Sequence, residues 1–297
     1  MKRVEVLETG PLATVQDLGR PGLSDLGVGH SGAADQRSLR LANRLVGNPE
    51  SAAAVELTLG GLTVRAHGDL LVAVTGAVCP LVVDGRQVAM NSVVQVPAGA
   101  TLRVGTPVTG LRSYLAVRGG VDVPPVLGSR STDVLSGIGP DPLAPGTPLP
   151  VGPAPGAHPL VDHAPVRAPG EGDVALRVVP GPRADWFVDT ALDTLLGEPY
   201  AVTGESNRVG MRLAGTPLER SRDAELPSEG MVCGALQVPP SGLPTLFLND
   251  HPVTGGYPVI AVVLSADLPL AAQARPGQRL RFRAVASAAA EHSRRTA

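Results

Sequence analysis

Residues 62–104 read LTVRAHGDLLVAVTGAVCPLVVDGRQVAMNSVVQVPAGATLRV. Short runs of β-branched and other apolar residues alternate here with Gly, Pro, Asn and Asp, which is typical of short strands joined by tight turns. The Asp84-Gly85 pair between two runs predicts a two-residue hairpin turn. The predicted strands are Leu62 to Ala66, Leu70 to Thr75, Pro80 to Asp84, Ser92 to Val96 and Thr101 to Val104.

The same pattern returns in the second half of the chain. Closely spaced strands without regular crossover helices favour barrels or sandwiches over a parallel sheet. We therefore predict a mainly β fold in both halves. The predicted strands of the second half are Val174 to Val179, Gly234 to Val238, Thr245 to Leu248, Val259 to Leu264 and Arg279 to Val285.

Two segments have the apolar periodicity of an amphipathic helix. The first, Ala33 to Val46, is followed by the stop signal Gly47-Asn48-Pro49, and the second, Arg183 to Leu196, ends before Gly197. Either Ser31 or Asp35 would cap the first helix. The predicted apolar faces are Leu39, Ala42, Leu45 and Val46 in the first helix, and Val188, Ala191, Leu192 and Leu195 in the second.

The 297-residue chain is long enough for one or two domains. Residues 139–172 are dominated by Pro, Gly and Ala, so we interpret them as a linker. We place an N-terminal β domain at 1–160, a C-terminal β domain at 161–290 and a frayed tail at 291–297.

Composition excludes several kinds of function. Lys2 is the only lysine, so neither a phosphate-binding loop ending in Lys nor an interior Schiff-base lysine is available. A net charge of −2 argues against nonspecific nucleic-acid binding, and no apolar run approaches the length of a membrane span. Cys79 and Cys233 are far apart and do not form metal-ligand spacing, which favours reduced, buried thiols in a cytosol. We expect a cytoplasmic protein that contacts neither nucleic acid nor membrane and has no metal site.

Two stretches of the second half combine polar residues with glycine. In the first, residues 204–213, Arg208 has a forked guanidinium that suits a carboxylate or phosphate, although a solvated turn is the alternative. In the second, residues 247–258 (FLNDHPVTGGYP), an apolar strand delivers Asn249 and Asp250 to its end, where scaffolds often carry polar chemistry. Its Gly-Gly pair can direct backbone N–H groups at an anion, and a structural turn is again the alternative.

A third polar cluster precedes the first predicted helix. His30, Ser31 and Asp35 contain the residue types of a Ser–His–Asp triad, but adjacency in sequence is not triad geometry and no Gly-x-Ser-x-Gly elbow exists. We therefore reject a triad and interpret the cluster as a helix cap.

The polar clusters and several other stretches resemble the allophanate-hydrolase subunit 2 family, which includes the C subunit of 5-oxoprolinase, the KipI antagonist KipA and part of the carboxyltransferase domain of urea carboxylase. The resemblance runs in order along essentially the whole chain. One departure is Pro252-Val253, where family members often have Gln-Thr, so no side-chain role is carried over to those two positions. The matching stretches are Thr14 to Arg20, His30 to Asp35, Ala42-Asn43, Leu45 to Asn48, Ser113 to Gly120, Ser206 to Leu213, Gln237 to Pro239, Asn249-Asp250 and Thr254 to Pro258.

The resemblance implies two mainly β domains with cyclophilin-like β-barrels and a few short helices. It also implies a 5-oxoprolinase complex, in which this chain is joined by a KipI-like B subunit and an A subunit. The complex would use ATP to open a small-molecule amide substrate, 5-oxoproline, to L-glutamate. ATP would be a co-substrate of the complex, and no cofactor would be covalently bound. The chain alone would be inactive. Separately, the few aromatic residues and the abundance of Ala, Val and Gly predict an exposed apolar patch, through which the chain would bind its partner and self-associate in the partner's absence. Two alternatives remain: a biotin-dependent carboxyltransferase component, with biotin carried by another protein, and a non-enzymatic KipI-binding regulator.

We predict that both second-half clusters face one cleft. Arg208 would neutralise an anion, Asp250 would act as a general base or position water, and Tyr257 would form a wall and donate its hydroxyl. The predicted catalytic residues are thus Asp250, Arg208 and Tyr257. The predicted substrate-binding residues are Ser206, Asn207, Gln237, Asn249, Thr254, Gly255 and Gly256.

Overall fold

In a computed structural model that describes residues 2–156 and 161–285, the first half of the chain forms two antiparallel sheets. The chain divides into two compact units, Met1–Glu171 and Gly172–Ala297. The strands of the first unit are β1 (Arg3–Thr9), β2 (Leu12–Gln16), β3 (Ala54–Thr58), β4 (Leu62–His67), β5 (Leu70–Val78), β6 (Leu81–Val83), β7 (Arg86–Val88), β8 (Val94–Val96), β9 (Thr101–Val104), β10 (Thr109–Val117) and β11 (Pro148–Pro150).

One sheet has the order β11-β1-β4-β9-β6-β7 and the other the order β2-β3-β10-β5-β8. Alternate residues of both sheets, among them Val6, Leu57, Val74 and Leu102, are buried in one shared apolar core. Because side chains alternate between the two faces of a strand, each sheet presents one apolar face to this core. The predicted Asp84-Gly85 turn joins β6 to β7, with both residues at positive φ.

The outer face of the second sheet is covered by helix α1 (Gln36–Leu45). The Asp35 carboxylate accepts a hydrogen bond from the Ser38 amide at 3.0 Å, so Asp35 is the cap of this helix. The helix begins three residues later than predicted because the backbone at Asp35 is not helical, with φ −110° and ψ 84°. The Ala34 amide donates to Glu56 Oε2 and the Asp35 amide donates to the Tyr114 hydroxyl oxygen. The predicted apolar face of Leu39, Ala42, Leu45 and Val46 is confirmed as buried.

The second unit contains a closed barrel in the order β12-β19-β16-β17-β14-β13-β20. Leu176, Leu236, Ile260 and Phe282 are among the residues that fill its core. The elements of this unit are β12 (Val174–Pro180), a 3-10 turn (Ala184–Trp186), α2 (Ala191–Gly197), β13 (Tyr200–Val202), β14 (Gly210–Ala214), β15 (Glu229–Gly230), β16 (Ala235–Gln237), β17 (Thr245–Phe247), β18 (Thr254–Gly255), β19 (Val259–Val263), α3 (Leu268–Ala272) and β20 (Arg279–Ala284).

The prediction of one helix from Arg183 to Leu196 is wrong in part. A 3-10 turn and α2 are separated by extended backbone at Phe187, which forms a bridge with Arg220. The backbone groups of this segment pair with the chain near residue 219, so they are not free to continue a helix. The helix α3 was also not predicted from the sequence, because proline is usually a helix breaker. Pro269 lies in the first turn of α3, where proline is tolerated.

The segment interpreted as a linker, residues 139–172, contributes to the first unit. It contains β11, which pairs with β1, and Val151 and His163 form isolated bridges with Val121 and Ser92. The division between units falls after Glu171 rather than at residue 160. The predicted tail at 291–297 lies outside the described residues.

Candidate functional site

Arg208 and Asp250 form an ion pair in the interior of the second unit. Arg208 Nε donates to Asp250 Oδ2 at 2.8 Å and Arg208 Nη2 donates to Asp250 Oδ1 at 2.9 Å. The antiparallel pairing that sets Gly210 opposite Phe247 continues past the strand ends, because the Asp250 amide also donates to the Arg208 carbonyl at 3.1 Å. The two side chains are 1% and 0% exposed.

The burial of this pair limits what either side chain can contact in this conformation. The Arg208 fork is engaged by Asp250, in the bidentate geometry that a substrate anion would otherwise adopt. The Asp250 carboxylate neutralises a buried cation and has no exposed surface from which to take a substrate proton. The structure brings the two residues together, as the sequence suggested, and pairs them with each other in the interior of the second unit.

The Ser206-Asn207 turn positions Arg208. Asn207 Oδ1 accepts hydrogen bonds from the Val209 amide at 2.8 Å and the Gly210 amide at 3.3 Å, so the side chain closes the turn that precedes β14. Ser206 Oγ lies 3.5 Å from the Arg212 carbonyl, and both polar side chains therefore serve the turn itself. A surface cavity of about 440 Å³ lies beside this turn and includes Glu205 and Arg212 in its wall.

The residues next to Asp250 are buried as well. Asn249 and His251 flank it, and the His251 ring packs on Phe247 with its Nδ1 2.8 Å from the Pro252 carbonyl oxygen. Cys233 belongs to the same region, where burial first and the Asp250 charge second raise the pKa of its thiol to about 12. The thiol is therefore protonated at neutral pH, which argues against nucleophilic catalysis by this cysteine.

The glycine pair lies against Gln237. Gln237 Nε2 donates to the Tyr257 carbonyl at 3.1 Å, and a Cβ atom on Gly255 would lie 2.5 Å from that same nitrogen. A Cβ at this position would therefore require the Gln237 amide to move. Thr254, Gly256 and Tyr257 have exposed or partly exposed surface around the buried Gln237 amide.

Sequence reasoning missed a second arginine–carboxylate pair beside this loop. The two-residue strands β15 and β18 pair so that Glu229 is opposite Gly255. The Glu229 carboxylate accepts hydrogen bonds from Arg183, with Arg183 Nε 2.9 Å from Oε1 and 3.0 Å from Oε2. Both residues are isolated charges in the sequence, and the only signal was the position of Arg183 directly after Gly181-Pro182.

The first unit has a polar centre of its own, which sequence reasoning quoted but gave no role. The Asp17 carboxylate accepts hydrogen bonds from the Gly19 and Arg130 amides and from the hydroxyls of Ser129 and Ser131. These bonds fix the Thr14-to-Arg20 stretch to the segment that follows Gly128. In the cluster that precedes α1, the hydroxyl of Ser31 donates to the Thr132 carbonyl at 3.0 Å.

A buried carboxylate, Glu56, lies under the first turn of α1. The Tyr114 hydroxyl donates to Glu56 Oε2 at 2.7 Å, and Arg112 Nε lies 3.7 Å from Oε1. Burial, followed by the Glu56 charge, raises the pKa of Tyr114 well above its usual value, so the hydroxyl remains a donor. This network holds the helix start in place.

Among residues 2–156 and 161–285, no group of three or more His, Cys, Asp or Glu side chains is arranged to hold a metal ion. Within the same ranges, none of the helices has the length and apolar character needed to cross a bilayer.

The comparisons identify the class of protein to which this fold belongs, and the chain is a member of the carboxyltransferase-domain family. The family model "Carboxyltransferase domain, subdomain A and B" matches residues 26–284. The chain is 40% identical to the C subunit of 5-oxoprolinase from Escherichia coli, over 94% of this chain and 90% of that protein. It is 35% identical to the corresponding C subunit from Haemophilus influenzae, over 98% of this chain and 94% of that protein.

Two solved structures have the same fold. The structure of TTHA0988 matches with a TM-score of 0.87 and 36% identity over 95% of this chain, which spans 55% of that longer chain. The K. lactis urea amidolyase structure matches with a TM-score of 0.90 and 30% identity over 99% of this chain and 19% of that one. The mainly β prediction is confirmed, with a closed barrel in the second unit and paired sheets in the first.

Proposed function

We propose that this chain is the C subunit of an ATP-dependent 5-oxoprolinase, which opens 5-oxoproline to L-glutamate. The observation that carries the proposal is the 40% identity to the C subunit of E. coli 5-oxoprolinase over nine-tenths of that protein's length. The match to urea amidolyases covers a much smaller share of those chains, 17% in the Lachancea kluyveri protein. The proposal therefore follows the relatives that this chain spans almost completely.

The relatives are named as subunits of 5-oxoprolinase, so we propose that this chain acts in a complex with a KipI-like B subunit and an A subunit. The lactam of 5-oxoproline is an unstrained amide, and its opening is coupled to ATP as co-substrate of the complex. Gln237, the Gly255-Gly256 backbone and Tyr257 supply the polar groups that would contact the lactam. Arg208 and Asp250 act beneath them by holding the 249–257 segment in place.

Reconstitution tests this proposal. The purified chain alone should release no glutamate from 5-oxoproline, whereas the chain with both cognate partners should release it only when ATP is present. An Asp173→Asn variant, altered in a surface ion pair, serves as the control for handling and folding. Full activity of the chain alone, or no activity with both partners, would contradict the proposal.

A carboxyltransferase role is the second candidate, because the family model and the TM-score of 0.90 to the K. lactis urea amidolyase favour it. Lys2 is the only lysine, so biotin would have to be carried by another protein. Transfer of CO₂ from a carboxylated biotin carrier to an amide, with no ATP-dependent glutamate release, would select this candidate. Binding of a KipI-like chain without turnover of either substrate would instead indicate a regulatory protein.

A further inference from the structure

The Arg183–Glu229 pair has the geometry of a carboxylate-binding site. Arg183 Nε and Nη2 both donate to the Glu229 carboxylate, with Nε at 2.9 Å from Oε1 and 3.0 Å from Oε2. A guanidinium fork with two donors is the arrangement that proteins use to bind a free carboxylate. The Glu229 carboxylate therefore lies where a ligand carboxylate would lie if it bound this guanidinium.

This pair is attached directly to the loop that contains the predicted substrate-binding residues. The Arg183 amide donates to the Val259 carbonyl at 3.3 Å, and Val259 is the strand partner of Gln237. Glu229 is the strand partner of Gly255, which lies against the Gln237 amide. The guanidinium and the glycine pair therefore belong to one group of contacts in the second unit.

Arg183 differs from Arg208, the arginine chosen from the sequence, in its exposure to solvent. The side chains of Arg183 and Glu229 are 37% and 26% exposed, so water and solutes reach both groups. A partly exposed ion pair is held less tightly than a buried one, because water and salt compete for each partner. Exchange of the Glu229 carboxylate for that of a ligand is therefore chemically easy.

We propose that Arg183 binds the carboxylate of the substrate and that Glu229 occupies its guanidinium as an internal competitor until the substrate replaces it. The inference rests on the proposed function and adds to it the residue that recognises the carboxylate of 5-oxoproline. With that carboxylate on Arg183, the lactam ring lies toward Gln237 and the Gly255-Gly256 backbone. The hydrogen bond from Arg183 lowers the pKa of Glu229, so the competitor is ionised at neutral pH.

Two substitutions with opposite expected effects test the proposal in the reconstituted complex. Arg183→Gln removes the fork and should raise the KM for 5-oxoproline by about ten- to a hundredfold, with kcat changed far less. Glu229→Gln removes the competing charge and should lower the same KM by about threefold or more. Arg183→Lys keeps the charge without the fork and should give an intermediate KM.

Matched controls come from the Asp173 pair in the same unit. Arg281 and Asp173 are 42% and 27% exposed and are also joined by a guanidinium–carboxylate bond. Arg281→Gln and Asp173→Asn should leave the KM unchanged. The neutral amide of 5-oxoproline, used as a competitive inhibitor, should bind wild type and Arg183→Gln equally, because it has no carboxylate to lose.

The outcomes separate the inference from the function on which it rests. If the wild-type complex releases no glutamate, the proposed function fails. If the wild-type complex is active and Arg183→Gln keeps its KM, or if both variants raise KM together and weaken binding of the neutral amide, the inference is overturned and the pair only stabilises the β15–β18 sheet.

Discussion

The second unit contains two arginine–carboxylate pairs with the same chemistry and opposite environments. Arg208 and Asp250 are bidentate and buried, whereas Arg183 and Glu229 are joined by a similar fork at the surface. Both pairs adjoin the segment that includes the glycine pair: Asp250 lies in it, and Glu229 is the strand partner of Gly255.

The comparison indicates that burial, rather than residue type, decides how much an arginine–carboxylate pair contributes to stability and how easily its partners can be exchanged. Removing one member of a buried pair leaves an uncompensated charge in a medium of low dielectric, which strongly destabilises the fold. Removing one member of an exposed pair leaves the other solvated by water, at little cost. We therefore assign stability to Arg208–Asp250 and ligand exchange to Arg183–Glu229.

The largest effect is expected from Asp250→Ala, which leaves the Arg208 guanidinium buried and without its carboxylate. Urea denaturation of the purified chain should show a loss of about 3–5 kcal/mol in the free energy of unfolding. Asp173→Ala, at an exposed pair, should leave the denaturation midpoint close to wild type. A similar small change for both variants would remove the distinction between buried and exposed pairs.

Tyr114→Phe extends the comparison to the buried carboxylate of the first unit. The substitution removes the hydroxyl that donates to Glu56 and accepts from the Asp35 amide, so we expect a loss of about 1–3 kcal/mol in unfolding free energy. Tyr257→Phe removes an exposed side-chain hydroxyl and serves as the control in the same denaturation experiment. Equal stability of the two variants would show that the Glu56 network does not depend on Tyr114.

The reactivity of the Cys233 thiol depends on the nearby Arg208–Asp250 pair, so it can be used to test the burial of that pair. Its pKa is raised from 9.0 to about 12, so its contribution to stability is fully present below pH 9 and is lost as the pH rises through 12. Alkylation followed by peptide mass mapping should find this thiol unreactive at neutral pH in the native protein. Asp250→Asn removes one cause of the raised pKa and should speed the reaction, whereas rapid alkylation of the wild type would contradict the burial of this region.

The smallest effect on stability is expected from Glu229→Gln. Because the pair is exposed, the midpoint of thermal unfolding should be the same as that of wild type within error. The same variant is expected to change the KM, so the two measurements together separate ligand exchange from structural support. A large drop in the unfolding midpoint would show that Arg183–Glu229 stabilises the fold in the same way as the buried Arg208–Asp250 pair.

Much of the fold could be predicted from residue patterns. The strands between residues 62 and 104, the Asp84-Gly85 turn and the buried face of α1 follow from local alternation and periodicity, and the structure confirms them. The segment from Arg183 to Leu196 was predicted less well. Its helical periodicity was overridden at Phe187 by pairing with a distant part of the chain.

The sequence singled out the residues of the candidate site but did not show which of their side chains pair with each other. The 247–258 stretch was singled out by Asn, Asp and paired glycines after an apolar strand, and the structure places Gln237 and Gly255 in contact there. Arg208 and Arg183 cannot be distinguished by residue type, since both are arginines near glycine or proline. Their different partners come from strand register, which links residues 42 and 46 positions apart.

The sequence by itself determined a mainly β chain, its likeness to one family and the two polar stretches that contain Arg208 and Asp250, because these depend on local pattern and on order along the chain. Only the tertiary structure decided which arginine is buried and which remains accessible. The reason is physical: whether a guanidinium is available to a ligand depends on the carboxylate opposite it and on the water around it, and both are set by residues far away in sequence.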